Sequence, residues 1–141
     1  MIAHDPSGEF DIPALKARAA AWAGLEGMDL APAVTSKQSS QWNENPWIWN
    51  QGYANSDTNA YHIVAMDFGV KRNILRLFAG LDCKVSVVPA TANEEEILAM
   101  NPDGIFLSNG PGDPAATGEY SVPEIKKLIA SGLPIFGICL G

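Results

Sequence analysis

What most restricts the fold of this chain is the rhythm of its second half, where apolar runs alternate with amphipathic stretches. HIVAMDFG, following Tyr61, is a continuous apolar run ending in Asp-Phe-Gly, the pattern of a strand buried on both faces. Val70, Ile74, Leu77, Phe78 and Leu81 then recur at helical spacing and predict an amphipathic helix ending at Gly80. CKVSVVP, from Cys83, is the second predicted strand, and Asn93 with Glu96 gives an Asn-x-x-Glu start signal for a helix through Met100. GIFLSNG is the third strand. Ser121 with Glu124 predicts the cap of a further helix bearing Val122, Ile125, Leu128 and Ile129, stopped at Ser131-Gly132, and PIFGIC is the fourth strand. Strands alternating with helices in this way imply right-handed crossovers, so the expected fold is α/β with a parallel, doubly wound sheet. Ligands of such sheets bind beyond the carboxyl ends of the strands, here the segments after Met66, Val88, Leu107 and Ile138.

The first part of the chain has a different character. A helix is predicted from Asp11 to about Gly24, with Asp11 as cap, Pro13 in the first turn and Leu15, Ala19 and Trp22 on one face. Gly24 and Gly27 read as stops, and the short piece GMDLA as ending at Pro32. From Ala33 to Ala60 the sequence is rich in Ser, Asn and Gln, with Trp42, Trp47, Trp49 and Tyr53 set among them and Asn-Pro and Gln-Gly as turn signals. Short strands or a hairpin followed by a polar linker are expected. Residues 1–54 thus read as the tail of a separate preceding domain, 55–60 as a linker and 61–141 as the α/β domain. The aromatic residues have no interleaved Lys or Arg, so they read as a packed patch between domains, not as a platform for stacking bases.

Charge and composition exclude several classes. Against 16 Asp+Glu there are 9 Lys+Arg, a formal charge of −7, so no basic patch is available for nucleic-acid phosphates. The longest apolar stretch, Leu133 to Leu140, is far too short to span a bilayer. The start, MIAHDPSGEF, has no basic region ahead of an apolar run and does not resemble a signal peptide. Two cysteines, Cys83 and Cys139, make neither a disulfide framework nor a zinc site, and a reduced, cytoplasmic protein without nucleic-acid or membrane partners is expected.

Two motifs carry chemistry. Gly137-Ile138-Cys139-Leu140-Gly141 has the Gly-x-nucleophile-x-Gly form of a nucleophile elbow at the end of a predicted strand. Such a turn projects the thiol above the sheet at a helix start, where the backbone dipole favours an anion, and aims the Leu140 N–H at a developing oxyanion. On spacing alone, a small buried hydrophobe at Cys139 is equally open. Cys83, without flanking glycines, reads as inert packing. The second motif is the loop Ser108-Asn109-Gly110-Pro111-Gly112-Asp113-Pro114, whose N–H groups can face a ligand on the same sheet edge. It lacks the Lys of a nucleotide-phosphate cradle. A general base is harder to find, because His4 precedes any predicted element and His62 opens the first strand at the opposite end.

Taken together, GIFLSNGPGDP and PIFGICLG resemble the class I, triad-type glutamine amidotransferases. DFGVKRNILR, from Asp67 to Arg76, and GLEGMDLA, from Gly24, resemble in particular the small, glutamine-hydrolysing subunits of carbamoyl-phosphate synthetases. The SNGPGDP wording points the same way, since anthranilate synthase components usually read SPGPG. The resemblance implies that Cys139 attacks the glutamine side-chain amide to form a thioester. It also implies that Gly110, Gly112 and Leu140 bind glutamine and its oxyanion. Ammonia would pass to a large subunit, where ATP and magnesium are expected; no cofactor is expected on this chain. The family's Gln-bearing helix, its triad His and its triad Glu would follow Gly141, and its N-terminal domain would begin before Met1. The chain therefore reads as an internal fragment that is inactive alone. The amidotransferase subunit of another synthase and a non-catalytic docking module are the alternatives.

Overall fold

The structure is a computed structural model that describes residues 4–56 and 60–141, so residues 57–59 of the expected linker lie outside the described residues. Asp11 caps α1 (Ile12–Ala20) by accepting the Ala14 N–H at 3.0 Å, with Pro13 in the first turn. The helix ends at Ala20, before Gly24, so Trp22 does not share its face and stands exposed; α1 buries none of its residues. Gly24 and Gly27 adopt φ of +85° and +73° in the turns that follow. Pro32 begins a helix and does not end one: it occupies the first turn of α2 (Ala31–Val34), where a missing N–H has no intrahelical partner to lose.

The Ser/Asn/Gln-rich segment forms β1 (Ser40–Trp42) and a hairpin of β2 (Glu44–Ile48) with β3 (Gly52–Asn55). Then come β4 (Tyr61–Asp67), α3 (Arg72–Gly80), β5 (Cys83–Pro89), α4 (Glu94–Leu98) and β6 (Gly104–Leu107). The last elements are α5 (Pro114–Ala130) and β7 (Ile135–Gly137). The Asn93–Glu96 capping box is formed as read. The helix expected at Ser121 begins seven residues earlier. Asp113 is its N-cap, accepting from Ala115 N–H, and Pro114 is in its first turn. Ser121 lies inside α5 and donates to the Thr117 carbonyl, a bond that occupies a backbone acceptor and leaves no capping role. On this helix Leu128 is buried, whereas Val122 and Ile129 are exposed.

The strand order is β1-β5-β4-β6-β7, with β5, β4, β6 and β7 parallel and β1 antiparallel at the edge. Alternation along the strands divides the core. Val64, Met66, Val88, Ile105 and Leu107 pack with Ile97 of α4 and Leu128 of α5. Ala65, Val85, Val87 and Phe106 pack on the other face with Leu75 of α3. Helices thus cover both faces, the doubly wound arrangement the sequence implies. The chain reverses direction across the sheet at β4, which is flanked by β5 and β6, so the carboxyl end of β4 is the topological switch point.

Residues before the linker also touch this sheet. β1 pairs with β5, Ser36 N–H donates to Asp67 at 2.8 Å, and Ala90 N–H donates to Thr35 at 2.9 Å. Ala31 belongs to the core. The hairpin lies against α3 through Arg76, which pairs with Glu44 and lies 4.1 Å from the Tyr53 ring centroid. Of the aromatic residues expected to pack, Trp42 alone reaches the core cluster, beneath Arg72 and Arg76. Trp47, Trp49 and Tyr53 are 50%, 75% and 49% exposed, because a two-stranded hairpin has only one face to lay on the helix. Among the described residues no helix is long and apolar enough to cross a membrane.

Candidate active site

β7 ends at Gly137, and the chain turns sharply through Cys139, whose φ of +61° is left-handed backbone that a non-glycine residue adopts only when its surroundings enforce it. The enforcement is visible. Ile138 N–H donates to Leu107 C=O at 3.1 Å, carrying the β6–β7 pairing one residue past the strand, and Gly141 N–H closes the turn onto Ile138 C=O at 3.2 Å. A Cβ on Gly137 would stand 2.6 Å from the Gly141 carbonyl carbon. One on Gly141 would overlap the Leu107 carbonyl, 2.5 Å from its carbon. Both flanking positions therefore admit only glycine. Cys139 is exposed at the top of the turn, as a nucleophile elbow requires, and is not a buried hydrophobe. Residues 139–141 form the turn itself and no helical turn.

The loop after β6 meets this elbow at one point. A Cβ on Gly110 would overlap Phe68 C=O and lie 2.7 Å from Cδ2 of Leu140. Gly110 and Leu140 are thus in contact, each from a different loop. Gly112 faces elsewhere: at φ +99°, a Cβ there would stand 2.5 Å from Met28 C=O, so the glycine lets residues 28–30 lie on the loop. That contact is reinforced by Asp113, whose N–H donates to Met28 C=O and whose carboxylate accepts the Gly27 N–H at 2.7 Å. The Gly27 and then the Ala115 N–H hold the Asp113 carboxyl below the usual carboxylate range. Among the described residues, the N–H groups of Gly110, Gly112 and Leu140 donate to no protein acceptor. Of the three, Gly110 and Leu140 meet beside the elbow that carries Cys139.

The histidines do not complete the site. The His62 ring Nε2 lies 2.7 Å from the buried Ser86 hydroxyl, which also accepts from Gln41, so this side chain is committed near the start of β4. His4 is exposed in the N-terminal segment. Cys83 is buried with its thiol toward Leu81 C=O, and burial followed by the Asp82 carboxylate pushes that thiol up. Iodoacetamide is therefore expected to alkylate Cys139 at least about tenfold faster than Cys83, read from the two peptides by mass spectrometry over time. Equal rates would favour the docking alternative.

A cavity of about 560 Å³ lies at the carboxyl end of β5, lined by Gln38, Ser39, Thr91, Glu96 and Met100 among others. None of its lining residues belongs to the elbow or the loop, and the Glu96 carboxylate is already engaged in the α4 capping box. Among the described residues no group of three or more His, Cys, Asp or Glu is placed to hold a metal ion.

The doubly wound sheet thus carries a cysteine elbow at the end of β7 and a glycine loop at the end of its neighbour β6. The family model for glutamine amidotransferase class-I matches residues 64–141, which contain both motifs, and the chain belongs to that family. Over its whole length it is 66% identical to the carbamoyl phosphate synthase small chain of Rhizobium meliloti (strain 1021), covering 36% of that protein. It is 69% identical to the chain of the same name from Agrobacterium fabrum, again over 36% of it, and 67% identical to that from Brucella anthropi, over 35%. The chain thus spans about a third of the length of the curated relatives it matches. The sequence missed the ties from residues 27–36 to the sheet edge, because hydrogen bonds such as Ser36 to Asp67 leave no periodic signal.

Proposed function

We propose that this chain is the nucleophile-bearing part of a carbamoyl phosphate synthase small chain, with residues 1–54 the end of a preceding domain that lends β1 and Ala31 to the α/β sheet and its core. In this reading Cys139 attacks the side-chain amide carbon of L-glutamine. The C–N bond breaks, ammonia leaves with the thiol proton, and a glutamyl thioester remains on Sγ. Water then adds to the thioester carbonyl and releases glutamate. In each tetrahedral state the carbonyl oxygen is an oxyanion, and the free N–H groups of Gly110 and Leu140 are its donors, while Gly112 lets residues 28–30 support the loop that carries Gly110. The ammonia goes to a large subunit, which holds ATP and magnesium and makes carbamoyl phosphate for arginine and pyrimidine synthesis. The observation that carries the reading is the elbow: a strained, exposed Cys139 between two glycines that no other residue can replace.

Because neither described histidine is free beside Cys139, the base is expected from the part of the whole protein that this chain does not span. The full-length protein carrying residues 1–141 is accordingly expected to release ammonia from glutamine and to yield, on acid quench, a glutamyl adduct on the Cys139 peptide. Chain 1–141 alone is expected to show neither turnover nor adduct. Absence of the adduct in the full-length protein, or turnover by the isolated chain near that of the full-length one, would refute the reading.

A further inference from the structure

Two loops meet beside Gly110, and the side chains of Ser108 and Asn109 join them. The Asn109 amide spans from the loop after β6 to the turn after β4. Its Oδ1 accepts the Lys71 N–H at 3.1 Å, and its Nδ2 donates to Gly69 C=O at 3.0 Å. The two partners have opposite demands, so the orientation of the amide is fixed. This is the donor-acceptor pair that one strand residue offers its neighbour, made by a side chain where the strands have already ended. Ser108 adds a second tie: its hydroxyl accepts the Phe68 N–H at 2.9 Å and donates to Asn109 C=O at 2.8 Å. The turn itself is held by the Asp67 carboxylate, 7% exposed, which accepts from Gly69, Val70 and Ser36 N–H. Phe68 C=O, carried by that turn, is the group against which Gly110 rests.

We infer that Asn109 is a positioning residue for acyl transfer: it locks the Gly110 N–H against Leu140, where an oxyanion forms, without touching glutamine itself. The inference rests on the glutaminase reading above. Removing the amide leaves Gly69 C=O and Lys71 N–H to water and leaves Ser108 as the remaining side-chain tie between loop and turn. The donor then drifts, and a misplacement of about 1 Å in such a site lowers rates about a hundredfold. Asp67 holds the turn and the upstream segment together, so its replacement disturbs the sheet edge at large. Asn109 acts only at the junction.

The test uses the full-length protein, assembled with its large subunit, carrying Asn109→Ala or Asn109→Asp. The aspartate matches the asparagine in shape and keeps the acceptor for Lys71 N–H, but turns an oxygen toward Gly69 C=O. Both variants are expected to lose about tenfold to a hundredfold in kcat for glutamine hydrolysis. Alkylation of Cys139 by iodoacetamide, a displacement with no oxyanion, is expected to stay within about twofold of the parent. Asn109→Asp with parental kcat overturns the inference. So does a loss in alkylation equal to the loss in hydrolysis, because the thiol itself has then moved. If Asn109→Ala does not fold, the isosteric Asn109→Asp decides by the same two readouts. A parent without glutamine turnover refutes the glutaminase reading, and this role with it.

Discussion

Full-length protein carrying Cys139→Ala is expected to hydrolyse glutamine about four to six orders of magnitude more slowly than the parent, the scale of losing a covalent nucleophile. Cys139→Gly should lose as much and yet melt higher. At φ +61° a side chain is strained by about 1–3 kcal/mol, and glycine at that position is not. The combination separates two explanations of the turn. If the strain serves only to pack the end of β7, the glycine variant gains stability and nothing is lost. If it serves to present a thiol, stability rises as turnover disappears. Thermal melting and ammonia release on the same preparations distinguish the two, and a glycine variant that turns over would remove Cys139 from the chemistry.

Gly110→Ala is the second large effect, expected to lower kcat/KM for glutamine about a hundredfold to a thousandfold, the range for loss of one oxyanion donor. The added methyl has no room, since Phe68 C=O already occupies that space and Leu140 Cδ2 lies 2.7 Å away. Relief requires the loop to leave the turn or the elbow to leave the loop, and either separates the two free N–H groups. The core beneath is untouched, so far-UV circular dichroism should match the parent while turnover falls. Parental turnover in this variant would exclude Gly110 from the oxyanion site. Gly112→Ala should act by a different route, because its clash is with Met28 C=O and not with the elbow.

The parallel strands, the helix after Arg72, the Asn93 capping box and the elbow were all legible because each has a local cause. An apolar run, a 3.6-residue period, a reciprocal side-chain cap and a pair of glycines each declare themselves within a few residues. The start of α5 was misread for a local reason too. Ser-Val-Pro-Glu at residues 121–124 imitates a cap with proline in the first turn, yet Asp113-Pro114 supplies the same signal earlier and prevails. Trp22 carried a helical period beyond the helix, which stops at Ala20 with no face buried to extend it. What could not be read was every long-range tie: β1 joining β5, Ser36 reaching Asp67, Gly27 and Met28 reaching Asp113. These bonds depend on where the folded chain brings residues together, and no period or motif encodes them.

The antiparallel edge strand has a consequence for synthesis. Chains emerge amino end first, and β1 leaves the ribosome before β5, the strand it pairs with, has been made. At about 5–20 residues per second the wait lasts a few seconds. During that time Trp42 travels without the surface that covers it in the fold. A nascent segment with such an aromatic invites association with its neighbours unless polar residues interrupt it. Gln38, Ser39, Ser40, Gln41 and Asn43 flank this tryptophan, polar neighbours of the kind that keep an uncovered segment solvated.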